Sequence, residues 1–415
     1  MESPIPRYSK STSAQRGESL STGSSSPFAE RGAGGEVKRN LSRPWAVSLV
    51  LCILYLAILY IHYYGLHFQT QSPLRAGRPI NLGLLTIRYN GGPLEFVWPT
   101  SAGQPGYDGQ FTYYIALDPL HAAPYLDVPA YRYQRILHPL LARLLALGQE
   151  SLVPWAMLTI NLIALAVGTA ALEQLLQAER INRWYALIYG LFGGIFIAIR
   201  VGTSEPLAYG LVLCAILAGK RDQYVWHAIL FALALLAKET TIFFVAGYLV
   251  YYALEHRWRD VIRLALIAIV PFVLWEVVLR LWLGHFGIGS GGALATPFEI
   301  IPFNGIWRLF EYPLAVIVGF GLLPFGAALL PTLWALWRGA RDTLRHRWHP
   351  YVFLLLANAA IMPFVPFSTY REPLGIARFL DGLVIAVVLY AALRRARRAL
   401  MYSTLWIMFT LLLLG

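Results

Sequence analysis

Asp108 stands in the run Gly106-Tyr107-Asp108-Gly109-Gln110, a tight-turn context that presents a carboxylate at the head of a segment. Such a carboxylate can take a proton from a reacting hydroxyl, or it can fold back as an Asx turn on its own backbone. Downstream, YLDVPAYRYQRILHPLLARLLALGQ (125–149) reads as an amphipathic helix with Arg132, Arg135, His138, Arg143 and Gln149 on one side. Its leucines mostly occupy the other side. Two readings stand for this helix: an interfacial anchor whose arginines meet lipid headgroups, or a source of substrate-phosphate contacts from Arg132 or Arg135. Lys238-Glu239 sits in a near-zero-length hairpin between two apolar runs, and Arg200 and Glu205 flank another turn. The stretch FSTYREPLGIARFLDG (367–382) adds Arg371, Glu372, Arg378 and Asp381. Mutual pairing explains charges retained at such places; Arg135, Lys238, Arg371 and Arg378 are also candidate phosphate contacts. Glu276 and Arg280, spaced i,i+4, read as a pair. Asp118 and Asp127 read as turn carboxylates. Six tyrosines, Tyr107, Tyr113, Tyr114, Tyr125, Tyr131 and Tyr133, suit an aromatic belt or a sugar-stacking surface.

The elements that position these groups are set by an unusual composition. Of 415 residues, 57% are apolar and 13% charged, against roughly 45–50% and about 25% in soluble domains. That excludes a water-soluble globular enzyme, a disordered regulator and a coiled coil. The net charge of +12 does not point to nucleic acid, because the Lys and Arg lie in short clusters between long apolar runs. Cys52 and Cys214 both fall inside apolar runs, so neither a disulfide framework nor a cysteine metal site is expected.

Residues 1–43 are basic and rich in Ser and Gly and read as a disordered cytoplasmic tail. From 44 to 415 the apolar runs predict an all-α polytopic membrane domain of about eleven transmembrane helices. The first apolar run has the length of a retained helix, not of a removed signal segment. The run at 312–337, with Pro313, Pro324 and Pro331, is expected to be kinked or partly re-entrant. The first extracytoplasmic loop, 65–150, is the one connection long enough to hold an active-site segment. Basic clusters recur at alternate connections (179–183, 220–222, 255–260, 338–347 and 394–398), which places the N-terminus in the cytoplasm and the C-terminus outside.

The outer side of a cell membrane lacks nucleotide sugars, and the chain has no Gly-rich phosphate loop outside its apolar runs. A sugar donor used there arrives on a lipid, with its phosphate held by Arg or Lys at the membrane surface. A phosphate leaving group needs no general acid, so a single carboxylate suffices to deprotonate the attacking hydroxyl, and the displacement inverts the anomeric centre.

These features resemble the GT-C class of integral membrane glycosyltransferases. The runs YDGQFTYYIALDP (107–119), YRYQRILHPLLARLLALG (131–148) and AKETT (237–241) further resemble a bacterial polytopic family associated with cell-surface glycopolymer formation. The resemblance covers most of the chain from about residue 44. It implies a GT-C-like fold in the bacterial inner membrane, a polyprenyl-phosphate sugar donor, a glycan or glycolipid acceptor, and Asp108 at the catalytic position. Gln110, Tyr113, Arg132, Arg135, Lys238, Glu239, Arg371 and Arg378 are then the candidate substrate-binding residues. Commoner GT-C patterns show paired acids such as Asp-Glu or Asp-x-Asp; here Gly109-Gln110 follows, so participation of a divalent cation stays open. Two other readings are a transporter or flippase for lipid-linked sugars and a non-catalytic subunit of a polysaccharide-assembly complex.

Overall fold

The computed structural model describes residues 45–70, 88–89, 96–97, 108–312 and 322–412. The basic tail, Tyr107 and most of 71–107 in the long loop lie outside these residues. The described chain is all-helical apart from a two-residue antiparallel pairing, Arg88–Tyr89 with Phe96–Val97.

Two described helices are long and apolar enough to cross a membrane, Glu150–Ala178 and Trp258–Leu283. Two bent pairs raise this to four if each counts as one span: Arg183–Gly190 with Gly193–Val201, bent by 47°, and Pro373–Phe379 with Asp381–Leu393, bent by 42°. The expectation of about eleven spans is therefore not matched by helix lengths. The reason is the way the apolar runs are interrupted. Tyr224–Ala237 has 14 residues and at 1.5 Å per residue reaches about 21 Å, short of a hydrocarbon core of about 30 Å. Part of the 312–337 run lies outside the described residues; from Leu322 it shows a wide, π-type stretch, Leu322–Leu329, leading into regular helix Leu330–Leu344.

The helices pack through small residues. Val153–Ala178 and Glu205–Lys220 approach so closely that a Cβ on Gly210 would lie 2.6 Å from the Ala164 carbonyl oxygen. Backbone contact of this kind maximises dispersion between apolar helices where water supplies little drive for association.

The amphipathic segment differs from the expected single interfacial helix. It divides into Pro129–Tyr133 and Leu137–Leu145, and its polar side faces protein. Arg132 and His138 are buried while Leu140, Leu144 and Leu145 are exposed. Arg143 donates to the carbonyls of Ala116 and Leu117. The cations of this segment thus meet carboxylates and carbonyls of the same chain, which corrects the headgroup-anchoring reading.

His138 carries a testable consequence. Its Nε2–H donates to the Met157 carbonyl at 3.4 Å, and its Nδ1 has no partner. Burial pushes its pKa from 6.5 down to about 4. A folded-state pKa below the unfolded value means that folding favours the neutral ring, so stability is complete above about pH 6.5 and falls as pH drops toward 4. Thermal unfolding of the detergent-solubilised protein should show a midpoint that decreases across this window, and His138→Gln should flatten the decrease. Identical acid limbs for the two proteins would refute the assignment.

Candidate functional site

Five segments of the chain, at 108, 127–135, 205, 238–239 and 378, bring the charged residues together. Asp108 leads into helix Gly109–Leu117 but makes no side-chain cap on it, so the Asx-turn alternative does not describe its carboxylate. Gly109 seats this turn against the end of helix Gly193–Val201. A Cβ there would stand 1.7 Å from the Val201 carbonyl oxygen. Because the obstructing atoms are backbone, Gly109→Ala is expected to destabilise the fold by about 1–3 kcal/mol or more and to displace Asp108; a thermal midpoint equal to that of the parent would contradict this packing.

Glu205 and Lys238 are held by a second junction. The Ser204 hydroxyl donates to the Ala237 carbonyl at 2.7 Å, and Asn161 Nδ2 donates to the Thr203 carbonyl at 2.8 Å. Arg378 arrives on helix Pro373–Phe379, which packs on helix Gly193–Val201 where Gly194 meets the Ala377 carbonyl.

The result is an alternating chain of acids and bases. Arg132 Nε and Nη2 donate to the two oxygens of Asp127 at 2.7 and 2.8 Å, and Arg132 Nη1 lies 3.0 Å from Asp108 Oδ1. Arg378 Nη2 donates to Asp108 Oδ2 at 2.9 Å, and its Nη1 to Glu205 Oε1 at 3.2 Å. Lys238 Nζ donates to the same Glu205 oxygen at 2.6 Å. Beside this chain Arg135 makes a two-pronged pair with Glu239 at 2.8 and 2.6 Å and donates to the Tyr131 hydroxyl at 2.7 Å. The guanidinium of Arg132 lies over the rings of Phe111 and Tyr131. Burial raises the Asp108 carboxyl, but Arg378 and Arg132 more than offset this and hold it down at about 2. Burial raises Asp127 as well, and Arg132 with backbone N–H groups brings it below its usual range.

The structure gathers Asp108, Arg132, Arg135, Lys238, Glu239 and Arg378. Arg371 is exposed, its guanidinium 5.7 Å from the Phe367 ring, and makes none of these contacts. Tyr113 is buried against Tyr114 and Ile115 in the core of the loop, so its ring is not a stacking platform. Gln110, next to Gly109 on the same turn, is partly exposed. Lys238 and Glu239 do not pair with each other, nor Glu205 with Arg200. Glu276 accepts from the backbone N–H groups of Gly287 and Ile288 at 2.8 and 3.1 Å, in place of the expected Arg280. Glu205, Asp127 and Asp381 are members or neighbours of the site that the sequence did not single out as binding groups. For Glu205 the available signal was a charge at the head of an apolar run.

Both oxygens of Asp108 are taken by guanidinium groups, and no three His, Cys, Asp or Glu side chains gather among the described residues. No ligand set for a divalent cation is assembled there. Next to Asp127 an open groove of about 420 Å³ is lined by Val128, Pro129, Ala130, Leu283, Phe286 and Ile288. Compared with protein-family models, curated proteins and solved structures, the chain matches none.

Proposed function

We propose that this chain is a membrane glycosyltransferase that moves a sugar from a polyprenyl-phosphate donor to a glycan or glycolipid acceptor on the extracytoplasmic face of a bacterial inner membrane. The observation that supports it best is the placement of Asp108 between Arg132 and Arg378, a partly exposed carboxylate beside cations suited to phosphate. In the reaction, the acceptor hydroxyl oxygen attacks the anomeric carbon and its proton passes to Asp108. The bond from the anomeric carbon to the phosphate oxygen breaks, and the polyprenyl phosphate leaves with the electron pair. Attack from the opposite side inverts the configuration. The two arginines stabilise the charge that grows on the departing phosphate.

On this reading the shorter apolar helices, Ala46–Ile58, Tyr224–Ala237, Glu239–Leu254 and Pro350–Phe364, join with neighbouring segments into about eleven crossings. The alternation of basic clusters supports that arrangement, with the N-terminus cytoplasmic and the C-terminus outside. The isoprenyl tail lies in the groove beside Asp127. Leu283, at the end of the Trp258–Leu283 span, lines that groove.

The deciding experiment is transfer by the purified protein from a radiolabelled polyprenyl-phosphate sugar. A new glycosidic bond is expected, and its absence with every donor and acceptor class tried would overturn the reading. A lipid-linked-sugar transporter is the second reading, and a specific observation favours it. The two bent helix pairs meet where Gly194 packs on Asp381, whose buried carboxylate has no hydrogen-bond partner on either oxygen. Broken helices around an intramembrane carboxylate are a transporter arrangement. Movement of a labelled lipid-linked sugar across proteoliposomes without a new bond would select it.

A further inference from the structure

The two arginines that flank Asp108 do not depend on it for their own positions. Arg132 is gripped by Asp127 through two of its nitrogens, and Asp127 is itself fixed by the backbone N–H groups of Val128 at 2.8 Å and Ala293 at 3.1 Å. Arg378 is held by Glu205, which Lys238 anchors in turn. Each guanidinium then directs one remaining nitrogen at one oxygen of Asp108. Two N–H groups from separate guanidiniums, meeting two oxygens on a single centre, is the pattern by which arginines hold a phosphoryl group. Asp108 is also the most exposed member of the cluster, its side chain 27% accessible against 7% and 10% for Arg132 and Arg378.

We propose that Arg132 and Arg378 form a preorganised oxyanion cradle for a phosphate group, and that Asp108 occupies this cradle at rest as an internal competitor. The cradle rests on its own geometry; that its ligand is the phosphate of a lipid-linked sugar rests on the function proposed above. The arrangement resolves a difficulty in that function. A carboxylate held at about 2 is ionised but accepts protons poorly, whereas an effective general base has a pKa near the working pH. A phosphate that takes over the two arginines removes the cations that depress Asp108 and sets an anion beside it. Both changes raise its basicity. Base strength therefore arrives together with the donor, and water finds a weak base when the donor is absent. A sugar phosphodiester also carries the same single negative charge as the carboxylate it replaces on the arginines.

The cradle makes a prediction that a simple base role does not. Removing Asp108 vacates the cradle, so Asp108→Ala should bind phosphate about tenfold or more tightly than the parent, and Asp108→Ala/Arg132→Ala should lose the gain. Binding is read by calorimetry and by ligand-induced rise of the thermal midpoint on the full chain in detergent. Inorganic phosphate and farnesyl phosphate serve as the two probes. A much stronger response to farnesyl phosphate identifies a lipid headgroup as the ligand; equal responses identify free phosphate, and either supports the cradle. Should Asp108→Ala fail to fold, Asp108→Asn keeps the shape, removes the charge and should shift affinity in the same direction. Equal affinities in the parent and the Asp108 variants, or a gain that survives loss of Arg132, would overturn the cradle. The outcomes separate from those of the transfer assay. A gain in anion affinity without any transfer by the parent leaves the cradle standing and removes the transferase, and transfer without a gain does the reverse.

Discussion

On the proposed transferase reading, Asp108→Asn is expected to lower the turnover of sugar transfer about a hundred- to ten-thousand-fold, the range over which a positioned general base contributes. The effect should fall on kcat and not on folding. Arg132 stays gripped by Asp127, and Arg378 keeps Glu205, so neither guanidinium is stranded when the carboxylate charge is lost. The donor KM should hold or fall, because a neutral amide competes less well than a carboxylate for the arginines. Turnover within a few-fold of the parent would remove Asp108 from the role of base. A loss of transfer accompanied by a matching collapse of the thermal midpoint would instead mark it as a structural ion-pair partner. A parent pH profile and a variant profile measured on the same donor distinguish the two.

What the sequence conveyed of this site follows from how local each signal is. The Gly-Tyr-Asp-Gly turn marks Asp108 within a few residues, because turn chemistry is a short-range property. Arg132 was also visible on the polar side of the amphipathic 125–149 segment, and Arg378 in the charged 367–382 stretch. Their partners were not. The pairs that build the cluster join residues 33, 104, 173 and 270 positions apart, and no pattern along the chain states which carboxylate faces which cation. Proximity in sequence misled in two places. Lys238 and Glu239 are neighbours, yet they project from a turn toward Glu205 and Arg135 respectively. Arg371 lies seven residues from Arg378, but a break at Glu372 separates their two helices and leaves Arg371 outside. Helix class was legible from continuous apolar runs, since a single segment in an apolar setting satisfies all its backbone groups internally only as a helix. Span number was less legible, because hydropathy counts apolar residues while crossing depends on unbroken helix length. Gly and Pro at 190–193, 202–206 and 363–373 divide runs that composition reads as continuous.

The largest expected effect on stability belongs to Lys238. Glu205 is 1% exposed and its Oε1 accepts from both Lys238 and Arg378, while Arg378 is shared with Asp108. In Lys238→Met, Glu205 retains half of its cationic support in a site with little access to water. Breaking one side of a buried pair leaves an uncompensated charge and costs about 3–5 kcal/mol, far more than the fraction of a kcal/mol at stake in an exposed pair. Glu205→Gln should cost less than Lys238→Met, since Arg378 still has Asp108 and a flexible lysine can turn toward the neighbouring Glu239. The double variant Lys238→Met/Glu205→Gln removes both charges and should be more stable than Lys238→Met alone, with a coupling energy of about 1–3 kcal/mol. Thermal unfolding of all four proteins in one detergent measures that cycle. Additive losses would mean that Lys238 and Glu205 act independently, and the junction between the 203–205 and 237–239 turns would then owe its stability to the Ser204–Ala237 hydrogen bond and not to the ion pair.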